Sequence, residues 1–235
     1  MENQAEVQLV LTTCLKAGKM MMASGSEVFR VEDTMKQIAS KAGYPDIQTY
    51  ITVTGIVIGF PLKMNTLVVQ INQQSINLEK VTTVSQVTHR FTNGVITLSE
   101  LYQQLIAIEE HTPNFPFYGK IIAAGVVSST LMIILTGSWW DFLPTFLIGL
   151  LGYSVHSFFG VKLQVTFLND FLAAATIGIL ALLAVELSLA KEVNSLIIGS
   201  IMPLVPGLAI TNAFRDIMAG HLISGVARGT EALFI

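Results

Sequence analysis

The amino-acid sequence predicts a membrane protein in which a small N-terminal α/β domain, residues 1–112, precedes an all-α bundle of about five transmembrane helices, residues 113–235. The first reason is the charge distribution, because only ten of the 29 charged side chains (13 Lys and Arg, 16 Asp and Glu) follow Lys120. The second is the length of the apolar runs, because lipid solvates neither charges nor free backbone groups and a crossing helix needs about 20 apolar residues. The residues before this segment have instead the periodic patterns of a soluble domain.

Two helices are predicted at the N-terminus. Apolar residues recur at helical spacing in residues 5–23 and again in residues 28–42. Ser24 followed by Glu27 matches a capping box, in which two side chains satisfy free N–H groups at a helix start. We therefore expect the second helix to begin at this box and to end before Gly43.

Three strands and two further helices are predicted next. The alternation of apolar and polar residues at 47–53 is typical of a half-buried strand, and Thr54-Gly55 predicts a bend or bulge after it. Thr97 with Glu100 gives a second capping box at the start of a helix. The other elements are predicted at 56–60, 66–71, 78–91 and 97–108. This order describes a small sheet covered by helices.

The boundary between the domains is expected at residues 111–118, where two prolines stop a helix and three aromatic residues suit the lipid headgroup layer. Trp139 and Trp140 are expected at the same kind of interface, between the first two spans. The five candidate spans are 119–137, 142–160, 171–189, 193–213 and 217–235.

Charges beside the spans predict the orientation. With the N-terminal domain in the cytoplasm, the inner flanks hold Lys120, Lys162 and Arg215, and the outer loops hold only Lys191. Because positive residues are enriched on the cytoplasmic side, we expect a multi-pass membrane protein with a cytoplasmic N-terminal domain. The polar, acidic N-terminus predicts no cleavable signal peptide, so the first span is expected to direct insertion.

Composition and motifs argue against several function classes. Cys14 is the only cysteine, so neither an internal disulfide nor a cysteine-based metal site is possible, and we expect a small buried apolar residue. The net charge of -3 does not point to nucleic acid. The sequence contains no Walker A, HExxH, GxSxG or Rossmann glycine pattern. We therefore predict no catalytic residue, metal or cofactor, and no ATP-driven pumping.

The fourth predicted span contains Met202-Pro-Leu-Val-Pro-Gly207, in which Pro203, Pro206 and Gly207 remove or weaken helical hydrogen bonds. A membrane tolerates such a segment where it faces protein or water, and interrupted helices of this kind form substrate sites in many transporters. The alternative is a proline kink that only shapes packing. We interpret the segment as an interrupted helix, and Asn212 after it as a further candidate for substrate binding.

The fifth predicted span carries the most informative charges. At about 100° per residue, His221, Ser224, Arg228 and Glu231 fall on one face, and Arg228 is predicted near mid-membrane. A charge at that depth is costly unless it is paired or hydrated, which favours a functional role. The alternative is that Arg228 and Glu231 only neutralise each other. Gly225-Val-Ala-Arg-Gly229 is also a GxxxG pattern, which predicts close packing on another helix.

Other polar residues allow two interpretations. Arg215 and Asp216 either pair with each other or cap the next helix. His156 is expected to be a satisfied interhelical hydrogen-bond partner, with a proton relay as the alternative, and Asp170 is expected to mark the inner end of the third span. A charge run in the N-terminal domain either forms a solvated face or docks the membrane domain or a partner; its members are Glu27, Arg30, Glu32 and Asp33.

Several short segments along nearly the whole chain occur in a characteristic order. They are Ser24-Gly-Ser-Glu-Val-Phe-Arg-Val-Glu-Asp-Thr34, Thr54-Gly-Ile56, Pro203-Leu-Val-Pro-Gly207, Asn212 with Arg215-Asp216, Ala219-Gly-His-Leu-Ile-Ser-Gly225 and Glu231-Ala232. Together they resemble the bacterial threonine/serine exporter family, in both the soluble and the membrane half of the chain.

This resemblance implies a secondary transporter that exports small polar metabolites with a proton or other ion gradient. Family members are one long chain or two subunits, and this chain is similar to the longer subunit, which has a cytoplasmic domain and about five spans. The resemblance therefore implies a smaller, nearly all-membrane subunit as partner, in an oligomer surrounded by membrane lipid. Split pairs of the family are linked to dicarboxylates such as succinate, so the expected substrates are threonine, serine or a dicarboxylate.

The resemblance and the charges together suggest a mechanism. We expect Arg228 to bind the substrate carboxylate, beside the free backbone groups of the interrupted helix. Asp216, Glu231 or His221 would exchange protons, and Arg215 would assist coupling or gating. The alternatives are a regulatory or scaffolding membrane subunit whose partner forms the path, and an intramembrane hydrolase, for which the sequence offers no nucleophile–base pair.

Overall fold

The computed structural model describes residues 4–61, 63–72, 75–110, 116–136, 138–163 and 166–234. Contacts divide the chain into two compact units, a first unit of Met1–Pro113 with Gly207–Ala232 and a second unit of Asn114–Pro206 with Leu233–Ile235. The segment 207–232 thus groups with the N-terminal residues, whereas the sequence pattern had assigned it to the transmembrane domain. Residues 111–115 of the predicted boundary lie outside the described residues, and the predicted division into two domains at residue 112 stays a prediction.

The N-terminal part of the first unit has the predicted order of two helices, three strands and two helices. The elements are α1 (Gln4–Ala23), α2 (Val28–Lys41), β1 (Gln48–Thr52), β2 (Gly55–Phe60), β3 (Lys63–Gln70), α3 (Leu78–Thr92) and α4 (Leu98–Glu110). The strands form one antiparallel sheet in the order β1-β2-β3. The alternation predicted for the first strand is confirmed, since Ile51 and Val53 are buried and Tyr50 is exposed.

The bend predicted as one of two alternatives at Thr54-Gly55 is confirmed, whereas the bulge lies elsewhere in the sheet. Thr52 pairs with Gly55, so residues 53–54 form a tight hairpin turn and not a bulge. The register shifts instead between Gly59 and Phe60. A Cβ at Gly59 would lie 2.9 Å from a backbone carbonyl oxygen of β3, which explains why glycine occupies this position.

The core of the first unit surrounds α1, which packs against α2, α3, α4, β2 and β3. Leu11, Cys14 and Met21 of this helix are fully buried. Gly18 lets α2 approach closely, because a Cβ there would lie 2.5 Å from the Met35 Sδ atom. Burial raises the pKa of the Cys14 thiol to about 12. Cys14 is therefore the inert, buried residue that the sequence predicts.

The two predicted capping boxes have different outcomes. The second box is confirmed, because the Thr97 N–H donates to Glu100 Oε2 at 2.7 Å and the Glu100 N–H donates to Thr97 Oγ1 at 3.3 Å. The first box is wrong, because Glu27 occupies the N-cap position of α2 and its side chain makes no capping bond. Ser24 instead follows the end of α1, where its N–H donates back to the helix.

The second unit is built from α5 (Phe117–Thr136), α6 (Phe142–Leu163), α7 (Thr166–Glu186), α8 (Val193–Ile201) and a 3-10 turn (Met202–Leu204). Within the described residues, three helices are long and apolar enough to cross a bilayer, at Phe117–Thr136, Phe142–Gly160 and Leu168–Glu186. They match the first three predicted spans to within a few residues. A fourth is present if the interrupted pair Val193–Leu204 and Gly207–Met218 counts as one span. These helices are those of a multi-pass membrane protein.

Small residues bring the helices of the second unit together. A Cβ at Gly149 would lie 2.5 Å from the Ser128 Cβ, and one at Gly199 would lie 2.6 Å from the Met132 Cβ. Each glycine therefore lets two helices approach more closely than a larger residue would allow. Such contacts are typical of helices packed within a membrane, where lipid is as apolar as the side chains and close packing supplies the attraction.

The last two helices are α9 (Gly207–Met218) and α10 (Leu222–Leu233). The predicted interruption of the fourth span is confirmed, because residues 205–206 are not helical. The fifth predicted span, 217–235, does not form one helix. Residues 219–221 break it, with Gly220 at a φ of 89°. The 12 residues of α10 extend about 18 Å, which is short of a hydrocarbon core about 30 Å thick.

Candidate functional site

The turn between α1 and α2 is the centre of the candidate site, because it brings two helix ends together. Gly25 ends α1 with a φ of 88°, a left-handed conformation that favours glycine. The Ser26 N–H donates back to the Met21 carbonyl at 3.0 Å. Because α2 begins at Val28, the last carbonyls of one helix and the first N–H groups of the next lie within a few residues of each other.

Asp216, near the end of α9, caps the start of α2. Its Oδ1 atom accepts a hydrogen bond from the Val28 N–H at 2.9 Å, and the residue is fully buried. A carboxylate at a helix N-terminus is stabilised by the free N–H groups and by the positive end of the helix dipole. Asp216 thus provides the cap that Ser24 and Glu27 do not provide.

Arg228, on α10, supplies the opposite charge. Its Nη2 atom donates to the Ser26 carbonyl at 2.7 Å and lies 3.5 Å from the Met22 Sδ atom. Its Nε atom lies 3.7 Å from Asp216 Oδ2. Arg228 is 5% exposed and Asp216 is 0% exposed, so the ion pair is buried. Asp216 Oδ2 accepts no hydrogen bond from the residues that the structure describes.

Each charge of this pair meets a helix end of opposite polarity. The Asp216 carboxylate lies at the N-terminus of α2, and the Arg228 guanidinium contacts the carbonyl just beyond the C-terminus of α1. Burial of two ions is unfavourable unless hydrogen bonds and mutual attraction offset the loss of hydration. The α1–α2 turn supplies both kinds of partner, which explains how a buried ion pair is accommodated here.

Two further side-chain contacts lie at the surface of the same elements. Arg215 pairs with Glu27, and His221 Nε2 lies 3.3 Å from Glu32 Oε2. Both glutamates belong to the charge run for which a solvated face and a docking face were the two interpretations. These two residues contact α9 and the turn before α10, whereas the rest of the run is exposed.

Small and polar residues connect α9 and α10 to each other and to the α1–α2 turn. Asn212 Nδ2 donates to the Gly25 carbonyl at 2.9 Å, and Ser224 Oγ donates to a backbone carbonyl of β1 at 3.3 Å. The close packing that the GxxxG pattern predicts is confirmed. A Cβ at Gly225 would lie 2.8 Å from the Ala213 carbonyl oxygen.

A pocket with a volume of about 320 Å³ opens beside the ion pair. Its lining consists of Glu27, Phe29, Arg215, Asp216, Met218 and Ala219. The carboxylates of Glu27 and Asp216 and the guanidinium of Arg215 therefore line the same small pocket. Such a lining suits a small ligand that carries both signs of charge.

The structure brings together only some of the predicted site residues. Five lie at or beside the α1–α2 turn, namely Asn212, Arg215, Asp216, His221 and Arg228. Glu231 is exposed near the end of α10, Gly207 begins α9, and Pro203 and Pro206 belong to the second unit. The binding, coupling and gating roles expected of these residues stay predictions.

The environment of Arg228 differs from the one that the sequence suggested. The sequence placed this side chain at mid-membrane, with Glu231 as its alternative neutralising partner. Its closest partners are instead Asp216 and the Ser26 carbonyl. Sequence reasoning missed the backbone partners because no residue type encodes them. The signal available in the sequence was Gly25, a residue type that often ends a helix, shortly before the start of α2. It marks a place where free backbone groups of two helix ends lie close together.

Comparison with known proteins agrees with the resemblance seen in the sequence. Residues 12–235 match the family model described as "Putative threonine/serine exporter". A curated protein of Mycobacterium tuberculosis, named "Probable threonine/serine exporter", is 20% identical over 231 residues. This alignment covers 96% of the chain and 43% of the relative, so the chain spans less than half the length of the curated relative that it matches. No solved structure matches the chain at a significant level.

Proposed function

Because the chain belongs to the threonine/serine exporter family, we propose that it is the larger subunit of a secondary transporter that exports serine, threonine and similar small amino acids from the cytoplasm. The observation that carries this proposal is the buried pair of Asp216 and Arg228. Two opposite charges lie 3.7 Å apart beside a pocket of a size suited to a small ligand.

A free amino acid is a zwitterion, and its two charges match this pair. The substrate ammonium group binds Asp216, which lines the pocket. The substrate carboxylate takes the place of Asp216 at Arg228, which contacts Asp216 but does not itself line the pocket, through charge-assisted hydrogen bonds. Asp216 Oδ2 has no hydrogen-bond donor among the described residues. It can therefore accept hydrogen bonds from the ammonium group while Asp216 Oδ1 keeps its bond to the Val28 N–H. Binding replaces the pair of Asp216 and Arg228 by two pairs between protein and substrate, each neutral overall. Binding therefore adds no net charge to a buried site.

A dicarboxylate suits the same site less well. Its second carboxylate would face Asp216 and Glu27, which both line the pocket. Like charges at short distance repel each other and disfavour the ionised forms. The wall of the pocket therefore favours an amino acid over succinate, and this narrows the substrate classes that the resemblance implied.

The proposal also includes a membrane partner, as the family resemblance implies. The matching relative is more than twice as long as the aligned part, and the described chain offers three or four spans. We infer that a smaller membrane subunit supplies the remaining helices, in an oligomer of the bacterial inner membrane. The three-to-one excess of lysine and arginine on the inner flanks supports a cytoplasmic N-terminal domain, and a proton gradient would drive export.

Efflux from proteoliposomes tests the proposal. The purified chain is reconstituted with and without the smaller subunit, and vesicles are loaded with labelled threonine, serine or succinate under an imposed proton gradient. We expect efflux of threonine and serine only when both subunits are present. Efflux of succinate alone would contradict the zwitterion site, and no efflux from correctly folded protein would contradict the transporter assignment.

Two variants locate the substrate site. Asp216→Asn keeps a side-chain oxygen for the Val28 N–H, and Arg228→Lys keeps the positive charge. A hydrogen bond to a charged group contributes about 1.5–3 kcal/mol. Each change is therefore expected to lower kcat/KM for efflux by about 10- to 100-fold. Matched changes at exposed residues of α2, Asp33→Asn and Arg30→Lys, are expected to leave efflux unchanged. Equal effects in both sets would place the substrate elsewhere.

A further inference from the structure

Two aspartates are buried in the second unit, and only one of them has its hydrogen bonds satisfied. Asp141 Oδ1 accepts the Lys191 N–H at 2.8 Å, and Asp141 Oδ2 accepts the Ser138 hydroxyl at 3.0 Å. Neither oxygen of Asp170 accepts a hydrogen bond from the described residues. Because buried polar atoms in folded proteins are nearly always paired, Asp141 is structural and Asp170 requires another explanation.

Asp170 lies among other polar atoms without hydrogen bonds. Its Oδ1 atom is 2.9 Å from His156 Nδ1, and neither atom has a further partner among the described residues. The neighbouring Asn169 Oδ1 also has no donor among the described residues. Asn169 is 5% exposed and Asp170 is 7% exposed. Three acceptor oxygens and an imidazole nitrogen are thus buried together.

The asparagine points toward the same face of α6 as the histidine. Asn169 Nδ2 lies 3.6 Å from the position that a Cβ at Gly160 would occupy. Gly160 is four residues after His156, one helical turn away on the same side. The ring of Tyr153 lies on the other side, 6.0 Å from the His156 ring between centroids. Side chains of both helices therefore converge on one position between α6 and α7.

Few other charges bear on this cluster. α8 carries no charged residue, and α5 carries only Lys120, which is exposed. Glu186 is at the opposite end of α7, about 24 Å from Asp170 along the helix, and the Lys162 side chain lies outside the described set. Among the described side chains, the charge of the cluster is therefore set by His156 and Asp170 alone.

The cluster lies near one end of two helices that are long and apolar enough to cross a bilayer, four residues before the end of Phe142–Gly160 and two residues after the start of Leu168–Glu186. This agrees with the expected place of Asp170 at the end of its span. Buried ionisable residues of membrane helices mark ion pathways and proton relays. We propose that His156, Asp170 and Asn169 form the proton-binding site through which the membrane unit is coupled to a proton gradient. This inference deepens the proposed function and rests on it for its role in transport.

The site binds one proton reversibly. The neutral imidazole of His156 takes a proton from the medium, and the resulting imidazolium lies beside the Asp170 carboxylate, so the loaded pair is neutral overall. Release of the proton on the other side restores a neutral imidazole and an unpaired carboxylate. The net charge of the cluster alternates between zero and minus one. A helix pair within lipid responds to that difference, because an unpaired ion there is far more costly than a neutral pair.

The histidine distinguishes a proton from a metal cation. Hard cations bind all-oxygen sites, and an imidazole nitrogen is a poor ligand for them. Imidazole is the side chain whose ordinary protonation occurs near neutral pH. The atoms present therefore favour a proton over sodium.

Titration of the histidine rings tests the site without reference to transport. The full chain is labelled with ¹⁵N-histidine, purified in detergent and titrated by NMR, with His156→Gln to assign the signal. In Asp170→Asn the titration midpoint of His156 is expected to move to lower pH by about one unit or more, because a neighbouring carboxylate no longer stabilises the imidazolium. Glu186→Gln, an exposed carboxylate of the same helix, is the matched control and is expected to shift nothing. An unchanged His156 midpoint in Asp170→Asn would overturn the site.

Transport assays test its role. Asp170→Asn is expected to lose at least tenfold in gradient-driven amino-acid efflux while equilibrium exchange of labelled for unlabelled amino acid persists, and Glu186→Gln is expected to retain both. A sodium gradient that replaces the proton gradient, or intact proton-driven efflux in Asp170→Asn, would overturn the coupling role. If the wild type transports no amino acid, the proposed function fails. The titration then still decides whether the proton site exists.

Discussion

Both units bury large apolar side chains, such as Leu11 in the first and Leu196 in the second, but they differ in the small residues between their helices and in their surfaces. Large apolar residues such as Leu11 and Met35 are fully buried in the first unit, whereas Ser128 and Thr145 are fully buried in the second, which exposes apolar side chains such as Leu143. The first unit therefore folds by removing apolar surface from water. The second unit is stabilised by close contact of small residues between helices whose outer surfaces suit lipid.

Buried charge follows the same division. Asp216 in the first unit has a helix N-terminus and an arginine as partners. Asp170 in the second unit has only His156 close by, and its oxygens accept no hydrogen bond from the described residues. A carboxylate with stable partners keeps its charge. A group whose hydrogen bonds are incompletely satisfied can change its protonation state more easily. The comparison predicts that each unit fails under a different kind of substitution.

The largest effect is expected from removing one charge of the ion pair in the first unit. Arg228→Gln leaves Asp216 buried without its partner, and this is expected to lower the free energy of unfolding by about 3–5 kcal/mol. Chemical unfolding of the purified chain in detergent, followed by circular dichroism, measures the change. The double variant Asp216→Leu with Arg228→Met is expected to lose much less, since it leaves no unpaired charge. A loss below about 1 kcal/mol in the single variant would show that the pair is not desolvated.

A smaller residue in the core of the first unit is expected to have the next largest effect. Leu11→Ala creates a cavity at a position with 0% exposure, and similar changes cost about 2–5 kcal/mol. Leu78→Ala, at a position 52% exposed, is the matched control and is expected to cost far less. The same unfolding measurement compares them, and equal losses would contradict the assignment of α1 to the core.

A larger residue is expected to damage the second unit. Gly199→Val places carbon atoms where a Cβ alone would lie 2.6 Å from the Met132 Cβ and 2.9 Å from the Ser128 carbonyl oxygen. Overpacking of this kind costs about 1–3 kcal/mol. Gly178, whose Cβ would meet nothing within 4 Å, gives the control Gly178→Val. Thermal unfolding in detergent is expected to give a lower midpoint temperature for Gly199→Val than for Gly178→Val. Similar midpoint temperatures would argue against tight packing of α8 on α5.

The smallest effect concerns an ion pair at the surface of the first unit. Lys16 Nζ lies 2.5 Å from Glu109 Oε2, and this hydrogen bond lowers the pKa of the Glu109 carboxyl. A lowered pKa in the folded state stabilises the protein above the carboxyl's ordinary value, about pH 4.3, and the contribution is lost as the pH falls below it. Glu109→Gln is therefore expected to cost less than about 1 kcal/mol at pH 7 and less still at pH 3, because the contribution is lost as the pH falls through the lowered pKa of Glu109. Unfolding at both pH values, with Glu110→Gln as control, checks the sign.

Regular patterns made much of the fold predictable. The helices and strands of the N-terminal segment follow from periodicity, because each element carries its own apolar face. The capping box of Thr97 and Glu100 was predicted correctly, because both of its members lie within one helical turn of each other. Ser24 with Glu27 matched the same motif, but a motif does not reveal whether a distant carboxylate occupies the N–H group instead.

The candidate sites were predictable only as separate residues. Arg228 and Asp216 were identified from their unusual positions in an apolar segment, but not as partners, since twelve residues and a turn at Gly220 separate them. The pairing of His156 with Asp170 was missed because each was interpreted by itself. Their proximity depends on how α6 and α7 pack, and Asn169 gave no signal in the sequence at all.

The sequence by itself determined most of the elements, the first three apolar spans and the family of this protein, because periodicity, run length and ordered motifs are properties of the chain alone. Only the tertiary structure decided where segment 207–232 packs and which charges meet. The physical reason is that a buried ion is stabilised by whatever donors and dipoles surround it. Here these include the ends of α1 and α2, whose backbone groups are the same for nearly every residue type.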